Sequence, residues 1–210
     1  MTSDDFQDRL DRRAEAAGLR LDRDLTVRLE TYYRLLATWN QKINLTALDL
    51  EQLPDDAVDR LFIEPVGAAG HVASGNVLDV GSGGGSPAIP FSLAVGASGL
   101  TMVESRTKKS VFLREAARAV ALPSAHVITA RFEDVADSPD VSGCFDLVTI
   151  RAVRIADADW VRLRAPLRSG GSLLFLHQIG FSMRALEGYA HPETYPLTAK
   201  AELSTLKRVG

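Results

Sequence analysis

The stretch that most constrains this chain covers residues 76–94, where a short apolar segment leads into a cluster of glycines. Residues 77–80 are mostly apolar, which is typical of a buried parallel strand, and glycines follow at positions 81, 83, 84 and 85. A second apolar segment over residues 89–94 can begin a helix. A strand, a glycine turn and a helix in this order bring backbone N–H groups close to a ligand. The stretch therefore predicts an α/β domain with a ligand site at the end of its first strand.

The composition limits the compartments and partners to be considered. Of the 210 residues, 46% are hydrophobic and 24% charged, as in an ordinary globular domain, and no apolar run approaches the ~18 residues of a membrane span. The N-terminus lacks the pattern of a secretory signal, and Cys144 is the only cysteine, which excludes an internal disulfide and a cysteine-based zinc site. The four histidines show no metal-ligand spacing. We therefore expect a cytoplasmic protein that binds neither a metal nor a membrane. We also expect a monomer.

Residues 1–75 are predicted to form a helical extension ahead of the α/β domain. Apolar residues recur between positions 25 and 43 at steps of three and four, which places them on one face of a helix. Asp22 or Asp24 can cap the start of this helix. A further helical segment is predicted over residues 54–69.

From residue 76 onwards, strand patterns alternate with helix patterns. Such alternation implies right-handed crossovers and a mostly parallel, doubly wound sheet with helices on both faces. The core over residues 76–210 is expected to form one compact unit. Strands are predicted over residues 77–80, 100–104, 126–130, 145–150 and 172–177, with two further short strands over 193–197 and 201–208 and helices over 108–120 and 156–167.

The residues around the glycine loop narrow the choice of ligand. Ser86 and Pro87 stand where a dinucleotide site has its third glycine and first helical turn, and no Lys-Ser or Lys-Thr pair follows, which excludes a P-loop. Glu104 ends the second predicted strand about 20 residues further on, where a carboxylate can accept both hydroxyls of a ribose. A ribose-binding acid without a pyrophosphate turn suits S-adenosylmethionine. Alternatively, Glu104 only caps the following helix and the glycines only form a tight turn.

Asp79 ends the first strand beside the same loop. Its carboxylate is expected close to the amino group and the sulfonium of the cofactor. The alternative is a strand-end acid that accepts hydrogen bonds from neighbouring backbone amides.

Several motifs resemble one known family. Residues 39–46 read WNQKINLT, residues 78–90 read LDVGSGGGSPAIP, and residues 145–152 read FDLVTIRA, with shorter matches at 104–105, 108–109, 112–114 and 131–134. The chain therefore resembles the bacterial small-subunit rRNA methyltransferase G family, also called the glucose-inhibited division protein B family. This resemblance implies a Rossmann-like class I methyltransferase fold. It also implies S-adenosylmethionine-dependent methylation of guanine N7 in a 16S rRNA loop, with 16S rRNA or the small ribosomal subunit as the partner.

The resemblance also assigns roles to individual residues. The chain departs from the family at Leu61, Glu64, Ala88 and His177, where the family usually has His, Asp, Gly and Lys. These departures leave open a small-molecule or protein acceptor, or a non-catalytic protein that binds an adenosyl ligand. The implied cofactor residues are Asp79, Gly81, Ser82, Gly83, Gly85, Glu104, Ser105, Arg131, Phe132 and Glu133, and the residues that face the transfer site are Asn44, Thr46, Arg60 and Arg151. Independently of the resemblance, RNA requires cationic contacts, and the candidates for them are Lys42, Arg60, Arg151 and Arg154.

The chemistry of guanine N7 fits these residue types. N7 carries a free lone pair and no proton, so its methylation needs positioning groups and no general base. Arg151, at the end of the fourth strand, can donate to O6 or hold a phosphate; alternatively, it pairs with Asp146 or Glu133. Cys144 precedes that strand and lies roughly 20–23 Å from its ligand end, which excludes a cysteine nucleophile.

Two further features have both structural and functional explanations. The net charge of −3 argues against general nucleic-acid coating but allows a local basic patch. Lys108 and Lys109 belong to a basic cluster that a solvated helix face also explains. Trp39 is expected in the core.

Overall fold

The computed structural model describes residues 2–122, 124–151 and 157–210. Its helices and strands alternate after an all-helical N-terminal segment, as the sequence predicts. The helices are α1 (Ser3–Ala16), α2 (Arg23–Asn40), α3 (Asp55–Val58), α4 (Glu64–Ala69), α5 (Ala88–Val95), α6 (Thr107–Ala119), α7 (Phe132–Ala136) and α8 (Asp157–Arg162), with a π-helical turn at Asp59–Ile63 and a 3-10 turn at Pro139–Val141. The strands are β1 (Asn76–Val80), β2 (Gly99–Val103), β3 (Ala125–Ile128), β4 (Phe145–Arg151), β5 (Leu167–Gln178), β6 (Glu193–Pro196) and β7 (Ala201–Lys207).

The seven strands form one sheet in the order β3-β2-β1-β4-β5-β7-β6. β1 to β5 pair in parallel, whereas β7 runs antiparallel to both β5 and β6. The strand order reverses between β1 and β4, so a crevice opens beyond the carboxyl ends of these strands, where open α/β sheets bind their ligands. The predicted mostly parallel α/β sheet is confirmed, and so are the two short C-terminal strands.

The largest error in the predicted elements lies before β5. The helix predicted over residues 156–167 ends at Arg162, and β5 begins at Leu167 rather than at residue 172. Pro166 makes a helix up to residue 167 unfavourable, because a proline lacks a backbone N–H and disfavours the helical conformation of the residue before it. In addition, α2 ends at Asn40 rather than at residue 43, and the predicted helix over residues 54–69 contains a π-helical turn.

Apolar residues pack on both faces of the sheet. Successive β1 residues point to opposite faces, so Val77 joins one cluster and Leu78 the other. Phe6 of α1 and Leu29 of α2 lie in the same cluster as Val77. The N-terminal helices therefore share a core with the sheet, while the division of the chain at residue 75 stays a prediction. No helix of the described ranges is long and apolar enough to cross a membrane.

α2 and α6 pack antiparallel against each other. Asp22 caps α2 by accepting a hydrogen bond from the Leu25 backbone N–H at 2.7 Å. Near this start, Arg28 donates to the carbonyl of Val120, which follows the end of α6. Near the other end of α2, Trp39 packs on Phe112 with ring centroids 5.8 Å apart. The end of α2 therefore lies close to the start of α6, at the ligand edge of the sheet.

Candidate active site

The glycine loop leaves β1 by crossing the end of β2. The backbone N–H groups of Gly81 and Ser82 both donate to the carbonyl of Val103, at 2.9 and 3.0 Å. Gly81, Gly83 and Gly85 have φ values of 72°, 54° and 90°, a region that residues with a side chain rarely adopt. The backbone conformation thus explains why glycine stands at three of the predicted cofactor positions.

Residues of the N-terminal segment contact the glycine loop and fix its backbone. The Tyr32 hydroxyl on α2 donates to the carbonyl of Gly84 at 2.6 Å, and burial raises the pKa of this phenol, so it stays protonated as a donor. A Cβ on Gly84 would come within 3.1 Å of the Leu45 carbonyl oxygen. A Cβ on Gly85 would lie 2.9 Å from Cδ1 of Ile89. Backbone and side chains of the extension and α5 therefore fix the position of the loop.

We expect Gly85→Ala to lower both stability and cofactor affinity, with a loss of about 2–5 kcal/mol in the free energy of unfolding. Its positive φ costs an alanine about 1–2 kcal/mol, and crowding against Ile89 costs about 1–3 kcal/mol. Gly96→Ala is the matched control, because Gly96 also has a positive φ but has open space around its Cβ position. Thermal unfolding and calorimetry of both variants check this result; equal stability of the two would contradict it.

The predicted adenosine residues line one cavity of about 220 Å³ at the ends of β1, β2 and β3. Glu104 lies on one side of this cavity. Its Oε2 accepts a hydrogen bond from the Gly83 N–H at 3.0 Å, and its Oε1 accepts one from the Arg106 N–H at 2.7 Å. The helix-capping alternative is thus compatible with the binding role, because the same carboxylate reaches the loop. The predicted residues that line the cavity are Gly81, Glu104, Ser105, Arg131, Phe132 and Glu133.

Asp79 is buried beneath the loop with one carboxylate oxygen unsatisfied. Its Oδ1 accepts a hydrogen bond from the Thr149 hydroxyl at 2.6 Å, whereas Oδ2 has no hydrogen-bond partner among the described residues. Burial raises the pKa of Asp79, and the Thr149 hydrogen bond opposes that shift. Such a carboxylate is suited to a cationic donor. Its hydrogen-bond donor is a hydroxyl on the neighbouring strand, not a nearby backbone amide as the sequence-based alternative proposed.

A second cavity of about 330 Å³ adjoins the first, and Gly81 lines both. Three predicted transfer-site residues, Thr46, Arg60 and Arg151, line it. Lys109 lines it as well and has no ion pair or hydrogen bond in the described part of the chain. We refer to the two cavities together as the crevice. The predicted adenosine residues line the first cavity, and the predicted transfer-site residues line the second, which we call the acceptor cavity.

Arg151 is fixed inside this crevice by its neighbours. Its guanidinium donates to the Arg60 carbonyl at 2.6 Å and to the Ser86 hydroxyl at 2.7 Å, and lies 3.2 Å from Oε2 of Glu64. The side chains of Arg151 and Glu64 are only 7% and 8% exposed. Burial lowers the pKa of Arg151 to about 10, with the Arg60 charge adding to the shift. The sequence-based alternative, a pairing of Arg151 with Asp146 or Glu133, was wrong. The acidic partner of Arg151 is Glu64.

Asn40 organises the turn that carries Thr46. Its Oδ1 accepts hydrogen bonds from the backbone N–H groups of Leu45 and Thr46 at 2.9 and 3.0 Å. The Thr46 hydroxyl in turn accepts from the Leu48 N–H at 3.2 Å. Asn40 thus explains why the WNQKINLT motif carries an asparagine directly after its tryptophan.

Five predicted site residues either line neither cavity or lie outside the described residues. Asp79 and Gly85 are absent from the lining of both cavities. Asn44 is exposed and lines neither cavity, and Lys42 lines a separate groove between α2 and α6. Arg154 lies outside the described residues. Within residues 2–122, 124–151 and 157–210, no group of three or more His, Cys, Asp or Glu side chains is placed to hold a metal ion.

Residues 26–184 match a family model described as rRNA small subunit methyltransferase G. The chain belongs to this family. Among the relatives that carry that family's name, the protein of Stenotrophomonas maltophilia strain K279a is 35% identical over 87% of this chain and 79% of its own length. The protein of Burkholderia thailandensis strain E264 is 39% identical over 76% of this chain and 70% of its own.

The fold of this family member also occurs in more distant enzymes. A crystal structure of an S-adenosylmethionine-dependent methyltransferase from Aquifex aeolicus superposes with a TM-score of 0.59. The superposition covers 76% of this chain and 96% of that one, at 12% sequence identity. The predicted class I methyltransferase fold is therefore confirmed.

Proposed function

We propose that this protein transfers the methyl group of S-adenosylmethionine to guanine N7 in a loop of 16S rRNA. The observation that carries the proposal is the crevice formed by two adjoining cavities, in a chain that belongs to an rRNA methyltransferase family. One half contains Glu104, whose carboxylate lies beside the glycine loop. The other half offers cationic side chains and no cysteine among its described lining residues.

The residues of the first cavity fit S-adenosylmethionine. Glu104 would accept the two ribose hydroxyls, and Arg131 to Glu133 would flank the adenine. The unsatisfied Oδ2 of Asp79 would accept from the amino group of the methionine portion. When bound, the cofactor supplies an electrophilic methyl group on a sulfonium. We expect the buried Asp79 carboxylate to attract the cationic end of the cofactor.

The second cavity would hold the guanine. Arg60 and Lys109 are the cations of this cavity whose side chains have no hydrogen bond or ion pair among the described residues, so they are free to meet a phosphate or the O6 edge. Arg151 instead acts as a positioning residue, because its donors already hold the Arg60 backbone, Ser86 and Glu64. Since N7 has no proton to lose, in-line placement of the base is the main requirement.

Methyl transfer from labelled S-adenosylmethionine to isolated small subunits tests this function. We expect label in 16S rRNA, and mass spectrometry of 16S rRNA from a strain without the gene should lack one methylated guanine. Unchanged guanine methylation in that strain would contradict the rRNA assignment and favour a small-molecule or protein acceptor. Cofactor binding without transfer to any acceptor would indicate a non-catalytic relative. A monomeric state, cytoplasmic localisation and independence from metal ions are part of the proposal.

We expect Asp79→Asn to weaken cofactor binding about tenfold, because one charge-assisted hydrogen bond is lost. The cationic ligand needs ionised Asp79, so wild-type affinity should rise with pH through the pKa of this group and fall on acidification. Because burial raises that pKa, the fall should begin above the pH at which an exposed Asp titrates. Calorimetry across a pH series checks this, and the acid limb should disappear in Asp79→Asn. An identical pH profile in both proteins would contradict the role of Asp79.

A further inference from the structure

A groove of about 660 Å³ lies between α2 and α6, next to the acceptor cavity. Trp39 and Leu35 of α2 and Val111 of α6 line it. Trp39 was expected in the core but is only partly buried, since it packs on Phe112 while also lining the groove. Val111 is 46% exposed. The groove is large enough for a small ligand and combines an aromatic wall with an apolar one.

The positive and negative side chains of the groove lie at opposite ends. Lys42 follows the end of α2, and Lys108 lies in the first turn of α6, so both mark the end nearest the acceptor cavity. Glu115 lies about 10 Å further along α6, at the far end. Neither lysine has an ion pair or hydrogen bond in the described part of the chain. An anionic group is therefore attracted to one end of the groove only.

The sequence positions tie this groove to the proposed acceptor site. Lys108 lines the groove, and its neighbour Lys109 lines the acceptor cavity. In the turn after α2, Lys42 likewise lines the groove, and Thr46 lines the acceptor cavity. Lysines in the first turn of α6 are unfavourable next to the positive end of the helix dipole. Helix stability therefore does not account for Lys108 and Lys109.

We propose that this groove is a second nucleotide subsite, which holds an unpaired base of the substrate RNA beside the acceptor guanine. The inference rests on the proposed function. The base stacks against Trp39 and Val111, because an aromatic or apolar wall accepts the flat face of any base. Lys42 and Lys108 bind the phosphates that connect this nucleotide to the acceptor. The alternation of cationic and apolar groups fits single-stranded RNA, in which unstacked bases are available.

Binding of a short, unstructured, fluorescein-labelled RNA to the cofactor-saturated protein tests the subsite. Val111→Asp places an anion in the groove at an exposed position, and we expect it to weaken RNA binding about tenfold or more. Val27→Asp is the matched control, because Val27 is 47% exposed on α2 but does not line the groove. Lys42→Ala and Lys108→Ala should each reduce the slope of log affinity against log salt by about 0.7, whereas Lys207→Ala should not.

Tryptophan fluorescence gives an independent readout. The chain has two tryptophans, so Trp160→Phe leaves Trp39 as the only one. Addition of the same RNA should quench Trp39 in this variant, and Val111→Asp should abolish the quenching at equal RNA concentration. Equal RNA affinity of wild type and Val111→Asp, or no quenching of Trp39, would overturn the proposal.

Methylation assays separate this inference from the proposed function. We expect the groove variants to raise the KM for small subunits about tenfold or more while cofactor affinity stays unchanged. Normal methylation by all groove variants would refute the subsite and leave the function intact. If the protein binds RNA in the groove but methylates no rRNA, the subsite is supported and the proposed function is refuted. An effect of Val111→Asp with small subunits but not with naked RNA would assign the groove to a ribosomal protein and overturn the proposal.

Discussion

Replacement of Glu104 by alanine is expected to weaken S-adenosylmethionine binding by at least about 100-fold. The carboxylate can accept two charge-assisted hydrogen bonds from the ribose, each of which contributes about 1.5–3 kcal/mol. Its two oxygens also accept from Gly83 and Arg106, so the variant loses support for the loop as well. Isothermal titration calorimetry with the cofactor measures this loss directly.

Two controls separate ribose binding from loop support. Glu104→Gln keeps one acceptor oxygen without the charge, so we expect an affinity between those of wild type and Glu104→Ala. Glu51→Ala removes an exposed glutamate that lines neither cavity and should leave binding unchanged. A folded Glu104→Ala protein that binds the cofactor as tightly as wild type would remove the basis for the cofactor site.

Loss of Glu64 is expected to have the largest effect on stability. Glu64→Ala leaves the Arg151 guanidinium buried without its carboxylate, and breaking such a pair costs about 3–5 kcal/mol. For a chain of this length the melting temperature should fall by roughly 10 °C, at about 2–4 °C per kcal/mol. Methyl transfer should fall as well, because Arg151 holds the backbone of Arg60 and the Ser86 hydroxyl. Thermal unfolding and initial rates measure the two effects.

An exposed ion pair and a double variant provide the comparison. Arg12 pairs with Asp55 at 2.7 Å, but the side chains are 60% and 49% exposed, so Arg12→Ala should cost no more than about 1 kcal/mol. Replacing Glu64 by Leu together with Arg151 by Met should restore much of the stability but not the activity, because an apolar pair needs no desolvation of charge. Similar stability losses in Glu64→Ala and Arg12→Ala would show that burial of the pair does not matter.

Much of the fold was predictable because the buried strands have short apolar runs bounded by glycine or polar residues. β1, β2 and β4 differ from their predicted bounds by no more than one residue at either end. The start of β5 was not predictable in this way, because residues 168–171 read RSGG and have no apolar pattern. Leu167 joins the sheet by pairing with Phe145 of β4, and an irregularity separates this pair from the regular pairing that resumes at Ser172. Pairing with a neighbouring strand is a tertiary effect that local patterns do not contain.

The cofactor half of the site was more predictable than the acceptor half. Glu104 and Asp79 each lie at a strand end beside the loop, so position in the sheet alone indicates where they lie. The partner of Arg151 could not be found locally, since Glu64 precedes it by 87 residues and comes from a helix. Glu64 keeps an acidic side chain where the family usually has aspartate, and this carboxylate pairs with Arg151.

α2 sets the spacing between the two substrates of the proposed reaction. Tyr32 on this helix holds the cofactor loop, and Asn40 at its end holds the turn that faces the acceptor. One inserted residue between them would rotate the later part of the helix by about 100° and advance it by about 1.5 Å. The number of residues between Tyr32 and Asn40 therefore fixes both their distance along α2 and their relative direction around it. We expect homologues to vary in the side chains of α2 but to have no insertion or deletion within it.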